Sequence, residues 1–274
     1  MDLDELLSLA RAAAWAGART ATCWRGRVHR LLVEEKAGPD DLVSQADRDT
    51  ERAVRTVLAV HRPHDPVLGE EEGTSGGRGP VRWVVDPIDG TTNYLYGRPD
   101  WAVSVAAADA DGGRLLAGVV IEPSLGRLTE ARAGHRTRAN GTPVTALGQH
   151  DLTRALVELN LGRPGQRRMA GPMVSALLPH VRDLRRGGSA AAALAQVATG
   201  RADALWAPGL QPWDCAAGVL LVQQAGGAVG DLTRPLPGTW PPSGDVLAAP
   251  PALWEPLRAL LTPVYSGEAS LTGG

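Results

Sequence analysis

Asp86 and Asp89 stand three apart at the end of an apolar run, in Val84-Val85-Asp86-Pro87-Ile88-Asp89-Gly90-Thr91-Thr92-Asn93-Tyr94. Two neighbouring carboxylates repel unless protons or cations compensate them. A divalent cation such as Mg2+ takes hard oxygen ligands: carboxylates, a backbone carbonyl, waters and substrate phosphate. The Ile88 carbonyl lies between the two acids and is a further candidate ligand. Gly90 lets the backbone turn closely, and Thr91-Thr92 start a short helix whose first N–H groups bind anions. Carboxylates for metal beside amides for phosphate make a phosphoryl-transfer layout. An Asp-Pro turn followed by a helix cap is written with the same letters, so the stretch alone does not decide.

Three other acids bear on the choice. Glu70 sits in Gly69-Glu70-Glu71-Glu72-Gly73, which by itself reads as a solvated acidic loop. Asp47 and Glu51 are four apart on an expected helix and read alone as its polar face. Asp214 follows Trp213 at the start of another helix, an ordinary place for an acid.

The elements that must position these residues follow from periodicity. Val81 to Asp86 reads as a buried strand that ends in Asp86, and Pro87 is expected to turn the chain so that Asp89 returns to the same side. Strands over 101–109 and 116–123 continue one sheet, and a hairpin turns at Asn140-Gly141. Helices are expected over 2–25 and from about 41 to 60, ahead of a glycine-rich loop at 73–80. The second half alternates: a strand at 155–160, a helix at 166–179, a helix from Ser189 to Thr199 with Ser189 as N-cap, a strand at 202–208 and a helix at 213–227. Strands at 228–232 and 245–250 and a helix from 251 follow. This change of pattern suggests residues 1–145 as an N-terminal α+β half with most of the acids, and 146–274 as a C-terminal α/β half with Asp214. No internal repeat is visible.

The bulk numbers exclude some partners. The chain has 274 residues, 43% hydrophobic and 21% charged, which fits a globular protein with a substantial core. Its balance of 28 − 30 = −2 offers nothing to nucleic acid or an anionic membrane. Cys23 and Cys215 have no metal-like spacing and make no disulfide framework, which fits a reducing cytoplasm. The N-terminal stretch opens with acids and reads as an amphipathic helix, and no run reaches the ~18 apolar residues of a membrane span.

Together the pieces resemble the inositol monophosphatase family, of the wider lithium-sensitive, magnesium-dependent phosphatase superfamily. The resemblance rests on Gly69-Glu70-Glu71, on Asp86-Pro87-Ile88-Asp89-Gly90-Thr91-Thr92-Asn93, and on Trp213-Asp214-Cys215-Ala216-Ala217-Gly218 before a helix closed by Ala225-Gly226-Gly227. Residues 41–47, 187–192 and 197–204 match further segments in the same order, so the whole chain is covered.

The resemblance implies an α/β fold (an α+β sandwich) with the layered αβαβα architecture of the inositol monophosphatase and fructose-1,6-bisphosphatase type. It implies a Mg2+-dependent phosphoric monoester hydrolase that cleaves a small phosphorylated metabolite with metal-activated water. The substrate would be an inositol, cyclitol, sugar, histidinol or nucleoside phosphate. Two or three Mg2+ would bind per site, with Mn2+ as a substitute and Ca2+ or Li+ inhibitory. Glu70, Asp86 and the Ile88 carbonyl would hold the first cation, Asp86, Asp89 and Asp214 the second, and Glu70 with water a weaker third. Asp47 and Thr91 would orient the attacking water beside Glu70, and the Gly90 and Thr91 amides would hold the phosphate. Gly188, Ser189 and Ala190 would line the leaving-group side, with Ser189 as a hydroxyl partner. A homodimer is implied, and the eight tryptophans are candidates for its interface.

One departure bears on the substrate. Inositol-specific members carry a carboxylate seven residues before the Trp-Asp aspartate, and here Ala207 stands there, unless Asp203 reaches in. Arg185 and Arg186 are either a surface pair or an anion contact. Two alternatives stay open. One is a 3'-phosphoadenosine or sugar bisphosphatase using Arg185, Arg186, Trp206 and Trp213, and the other is a non-catalytic regulatory binding protein of the same fold. Residues 34–41 and 73–80 are candidate lids.

Overall fold

The computed structural model describes residues 1–27, 33–35, 42–111, 113–144, 148, 150–162 and 164–266. The expected boundary near residue 145 and most of the candidate lid at 34–41 lie outside them. The first half begins with α1 (Leu3–Arg25), a small antiparallel pair β1 (Val33–Glu35) and β2 (Leu42–Ser44), and α2 (Gln45–His61). An eight-stranded sheet follows, made of β3 (Val67–Gly69), β4 (Gly73–Ser75), β5 (Val81–Asp89), β6 (Ala102–Asp109), β7 (Leu115–Glu122), β8 (Arg127–Arg132), β9 (Arg138–Ala139) and β10 (Thr142–Pro143). The short helix α3 (Thr91–Leu95) interrupts it after β5.

The second half supplies β11 (Leu156–Leu159), α4 (Ala170–Leu177), β12 (Asp183–Arg185), α5 (Ala190–Ala198), β13 (Ala204–Ala207), α6 (Pro212–Gln224), β14 (Ala228–Gly230), β15 (Val246–Ala249) and α7 (Pro251–Ser266). Its five strands form one mixed sheet in the order β12-β11-β13-β15-β14, with β11 parallel to β12 and β13.

Side-chain alternation builds the layers. Val85, Val103, Val105 and Val119 face α1 and α2, while Val84, Ala106 and Val120 face α5 and α6. The other side of α5 and α6 packs on Leu205, Ala207, Val246 and Ala248 of the second sheet. That sheet turns Val157, Trp206 and Leu247 toward α4 and α7. The result is the αβαβα sandwich, with the inner helices shared by both sheets. Trp83, Trp101, Trp206 and Trp254 are buried in these cores, so they serve packing within one chain and not a subunit interface.

Several expected elements shift. The helix expected from 41 begins at Gln45, because 42–44 pairs as a strand with 33–35. The loop at 73–80 opens with β4, paired to β3. Asn140-Gly141 does turn a hairpin, with φ of 47° and 81°, but the turn joins the two-residue strands β9 and β10. The strand β12, flanked by exposed arginines, has no apolar alternation to mark it. Among the described residues, no helix is long and apolar enough to cross a membrane.

Candidate metal and phosphate site

A regular strand sends residues three apart to opposite faces. Asp86 and Asp89 nevertheless face the same way, and a bulge is the reason. Asp86 pairs with Ser104 and Asp89 with Ala102, so three steps along β5 match two along β6. The extra residue falls at Pro87-Ile88, where proline's missing N–H costs no ladder bond. The expected turn at Pro87 is therefore a kink inside a continuing strand. Ile88 points into the core beneath α1 and α2, and both acids point toward the inner helices.

There they meet the start of α6. Asp214 lies in its first turn, and its Oδ2 accepts the Gln211 N–H at 2.7 Å while Pro212 occupies the first helical position. Ser104, opposite Asp86, donates its hydroxyl to the Trp213 carbonyl at 3.4 Å and ties the strand to that helix start. Asp86, Asp89 and Asp214 bring ligand oxygens within 4.8 Å of one another.

The electrostatics of this cluster call for a cation. Asp86 is 1% exposed, and among the described residues neither of its oxygens has a hydrogen-bond partner. Burial, then the charges of Glu70, Asp89, Asp214 and Asp47, push its carboxyl well above the usual range. Burial and Asp214 push Asp89 up to about 7, against hydrogen bonds from Ser189 and the start of α5. An orphaned, buried carboxylate among other acids fits a hard divalent cation, which inverts this pKa logic when bound. Glu70 lies close enough to be the largest charge acting on Asp86, and its N–H donates to the Val85 carbonyl at 3.3 Å.

Asp47 is buried on α2, so the reading of a solvated helix face fails. Thr91 hydroxyl lies 3.4 Å from Asp47 Oδ1 and 3.2 Å from the Ile88 carbonyl, linking three of the expected site residues. Gly90 caps α3 at φ 93°, and a Cβ there would sit 3.0 Å from the Asp100 carbonyl and 3.3 Å from Ser189 Cβ.

The second half closes the site. Ser189 caps α5, accepting the Ala192 N–H at 3.1 Å, and donates its hydroxyl to Asp89 Oδ2 at 2.6 Å. That same oxygen accepts the Ala191 N–H at 2.6 Å. The hydroxyl expected to meet substrate is thus spent on holding a carboxylate. Ala190 is buried behind it. Two residues that sequence reasoning gave no role complete the junction. Asn93 Nδ2 donates to the Asp100 carbonyl at 2.6 Å and to the Gly187 carbonyl at 2.7 Å, joining the α3 turn to the β12–α5 loop that holds Gly188. Buried Glu158 accepts the Gly187 N–H at 3.2 Å from the other side. Asn93 stood inside the quoted motif, whereas nothing in the letters around Glu158 points to it.

Other expected contacts are absent. Ala207, at the end of β13, is fully buried in the core shared with α5 and α6, so that position offers no carboxylate. Asp203 Oδ2 accepts the Leu156 N–H at 2.8 Å at the opposite end of β13. Asp245 precedes the strand partner of Ala207 but lies on the α7 face, where its carboxylate accepts the Gly209 N–H and acts on Tyr265. Arg185 is half exposed and pairs with Asp183 at 2.5 Å. Trp206 is sealed under α7, donating to the Tyr265 hydroxyl at 2.9 Å.

Known proteins share this arrangement. The inositol monophosphatase family pattern matches residues 2–265. An inositol-1-monophosphatase SuhB of Mycobacterium tuberculosis is 40% identical over 240 residues, which cover 84% of this chain and 81% of that protein. A Nus factor SuhB of Pseudomonas aeruginosa is 38% identical, covering 76% of this chain and 78% of its own. The crystal structure of the extragenic suppressor protein suhB of Bartonella henselae superposes with a TM-score of 0.87 at 32% identity, over 94% of this chain and 98% of that one. The acid cluster at the end of β5, the shared inner helices and these matches agree: the chain belongs to the inositol monophosphatase family and is an inositol monophosphatase-like phosphomonoesterase.

Proposed function

We propose that the protein hydrolyses a small phosphate monoester with Mg2+ and an attacking water. The observation that carries this reading is the buried Asp86 carboxylate, without a hydrogen-bond partner among the described residues and aimed at Asp89 and Asp214. Asp86, Asp89 and Asp214 would hold one cation, and Glu70, Asp86 and the Ile88 carbonyl another. The cations supply the positive charge that a phosphate dianion and an attacking water need. Thr91 and Asp47 orient the water, for Thr91's hydroxyl already bridges Asp47 and the Ile88 carbonyl. The Gly90 and Thr91 amides would receive the phosphate where the chain turns through Gly90 into α3. Ser189 and the Ala191 N–H fix one oxygen of Asp89, so that carboxylate is preset before any ligand arrives.

The leaving group would rest against residues 187–190 and the end of β13. Ala207 offers it no carboxylate, so recognition there depends on shape and on backbone groups. The relatives named inositol-1-monophosphatase support a polyol monophosphate as the substrate class. The bisphosphatase reading loses two of its four candidate contacts, since Arg185 pairs with Asp183 and Trp206 is sealed in the core. Homodimerisation and inhibition by lithium belong to the same proposal.

Phosphate release with Mg2+ should be measured over inositol, sugar, amino-alcohol and nucleoside monophosphates. Release from at least one polyol phosphate, absent with chelator, is expected. No release from any member of the panel would reject the reading.

A further inference from the structure

Glu51 lies on α2, four residues beyond Asp47, and its side chain is 0% exposed. A helix face turned to the core normally carries an apolar residue, and a buried carboxylate is costly unless fully paired. Glu51 is paired in an unusual way. Its Oε2 accepts the Glu71 N–H at 2.8 Å, and its Oε1 accepts the Glu72 N–H at 3.1 Å. Oε1 also accepts Arg55 Nε at 2.8 Å. The rest of the Arg55 guanidinium donates to the Gly73 carbonyl at 2.6 Å, to the Val67 carbonyl at 3.5 Å and to the Ser75 hydroxyl.

All of these bonds beyond the pair itself end on the hairpin of β3 and β4, and that hairpin carries Glu70 in its turn. The residue before Glu70 is shaped by the same carboxylate. A Cβ on Gly69 would fall 2.2 Å from Glu51 Oε1. The glycine of Gly-Glu-Glu is therefore required by the acid behind it and not by the turn, as its φ is not among the positive ones. On its other side Glu70 is tied by its N–H to the Val85 carbonyl, one residue before Asp86.

We propose that Glu51 is a positioning residue for the cation site: by gripping the two N–H groups that follow Glu70, it fixes the Glu70 carboxylate beside Asp86. Arg55 holds the Glu51 carboxylate in place through its Nε. Charge-assisted bonds to successive amides make a stiffer mount than a loop's own turn bonds. The proposal rests on reading Glu70 as a cation ligand.

Cation binding by the full chain tests it, with Mn2+ followed by electron paramagnetic resonance and Mg2+ by calorimetry. Glu51→Gln keeps the volume but sets an amide donor against one of the two N–H groups. Gly69→Ala displaces the carboxylate without changing charge. Each should weaken cation affinity by roughly 10- to 100-fold, the range for residues that orient ligands, with KM for the phosphate ester little changed at saturating cation. A merely structural role would lower the thermal midpoint and leave the affinity of the folded protein unchanged. Wild-type affinity in both folded variants overturns the proposal. In the unaltered protein the Glu71 and Glu72 amides should exchange hydrogen slowly, and exchange at solvated-loop rates overturns it as well, whether or not the variants fold. Glu70→Gln separates two failures. Unchanged affinity there removes Glu70 as a ligand and the proposal with it. Weakened affinity there, with none in Glu51→Gln, overturns the proposal alone.

Discussion

The two walls of the site are built by opposite means. The wall from the first sheet and the start of α6 is acidic and over-determined. Asp86, Asp89 and Asp214 converge, and Asp89 and Asp214 are each held through one oxygen by N–H or O–H donors. The wall from the second half, at 187–190 and Ala207, is made of glycine, a committed serine and alanines, with nearby Arg185 paired to Asp183. The first wall fixes charges in place, which is what chemistry on a phosphate demands. The second fixes a shape, which lets the leaving group vary while the reaction stays the same.

The most severe way to break this contrast is to neutralise the first wall. Asp86→Asn should cut phosphate release by about 10³-fold, the upper scale for losing an electrostatic stabiliser. The same change should not destabilise the cation-free protein at about pH 8, because it removes a buried carboxyl group whose oxygens have no hydrogen-bond partner among the described residues. An active Asp86→Asn enzyme, or a cation-free variant less stable than its parent, would contradict the account of that wall.

A second measure of the first wall is its response to pH. Without cation, Asp86 lies well above the ordinary 3.8 and Asp89 at about 7. Acids with raised folded values bind protons more tightly when folded. Their contribution to stability is complete below the unfolded value near 4 and is lost as pH rises, for Asp89 through about 7. The thermal midpoint of chelator-treated protein should therefore fall between about pH 5 and 8, and the gain from Mg2+ should grow by several degrees over the same interval. A Mg2+ effect that is flat with pH would show that these carboxylates do not share the cation.

The junction between the walls comes next. Asn93 is the side chain that donates to both, through Asp100 and Gly187. Asn93→Ala removes two bonds of ~1 kcal/mol each and leaves partly buried carbonyls unpaired. A loss of roughly 10-fold in kcat/KM is expected, expressed mainly in KM because the shape of the second wall moves while the acids stay. A pure loss of kcat would place Asn93 with the first wall.

What the sequence revealed follows the same division. Val81–Asp86, the strands after it and the Ser189-capped helix were legible because apolar runs and a cap state them locally. The acids of the first wall were legible as a set. The bulge that aligns Asp86 with Asp89 was not, since it depends on how β6 registers against β5. Asp47 and Glu51 looked solvated because their partners, Thr91 and the Glu71 and Glu72 amides, lie 20 to 44 residues away. The letters around Ser189 do not show that Asp89, 100 residues earlier, takes its hydroxyl, so the sequence alone offers that hydroxyl to substrate.

The smallest expected effect tests the second wall most directly. If that wall selects by shape, its charges should be dispensable. Arg185 is 52% exposed along its side chain, sits at the end of β12, and spends its guanidinium on Asp183 and the Leu184 carbonyl. An exposed pair of this kind contributes between ~0 and 1 kcal/mol. Arg185→Ala should therefore leave kcat/KM for any monophosphate substrate within about twofold, and a salt titration of the parent should show no steep fall in kcat/KM from that residue. A tenfold loss confined to one substrate would mean that Arg185 leaves Asp183 to meet an anionic leaving group. The second wall would then recognise charge as well as shape, and the bisphosphate reading would regain its missing contact.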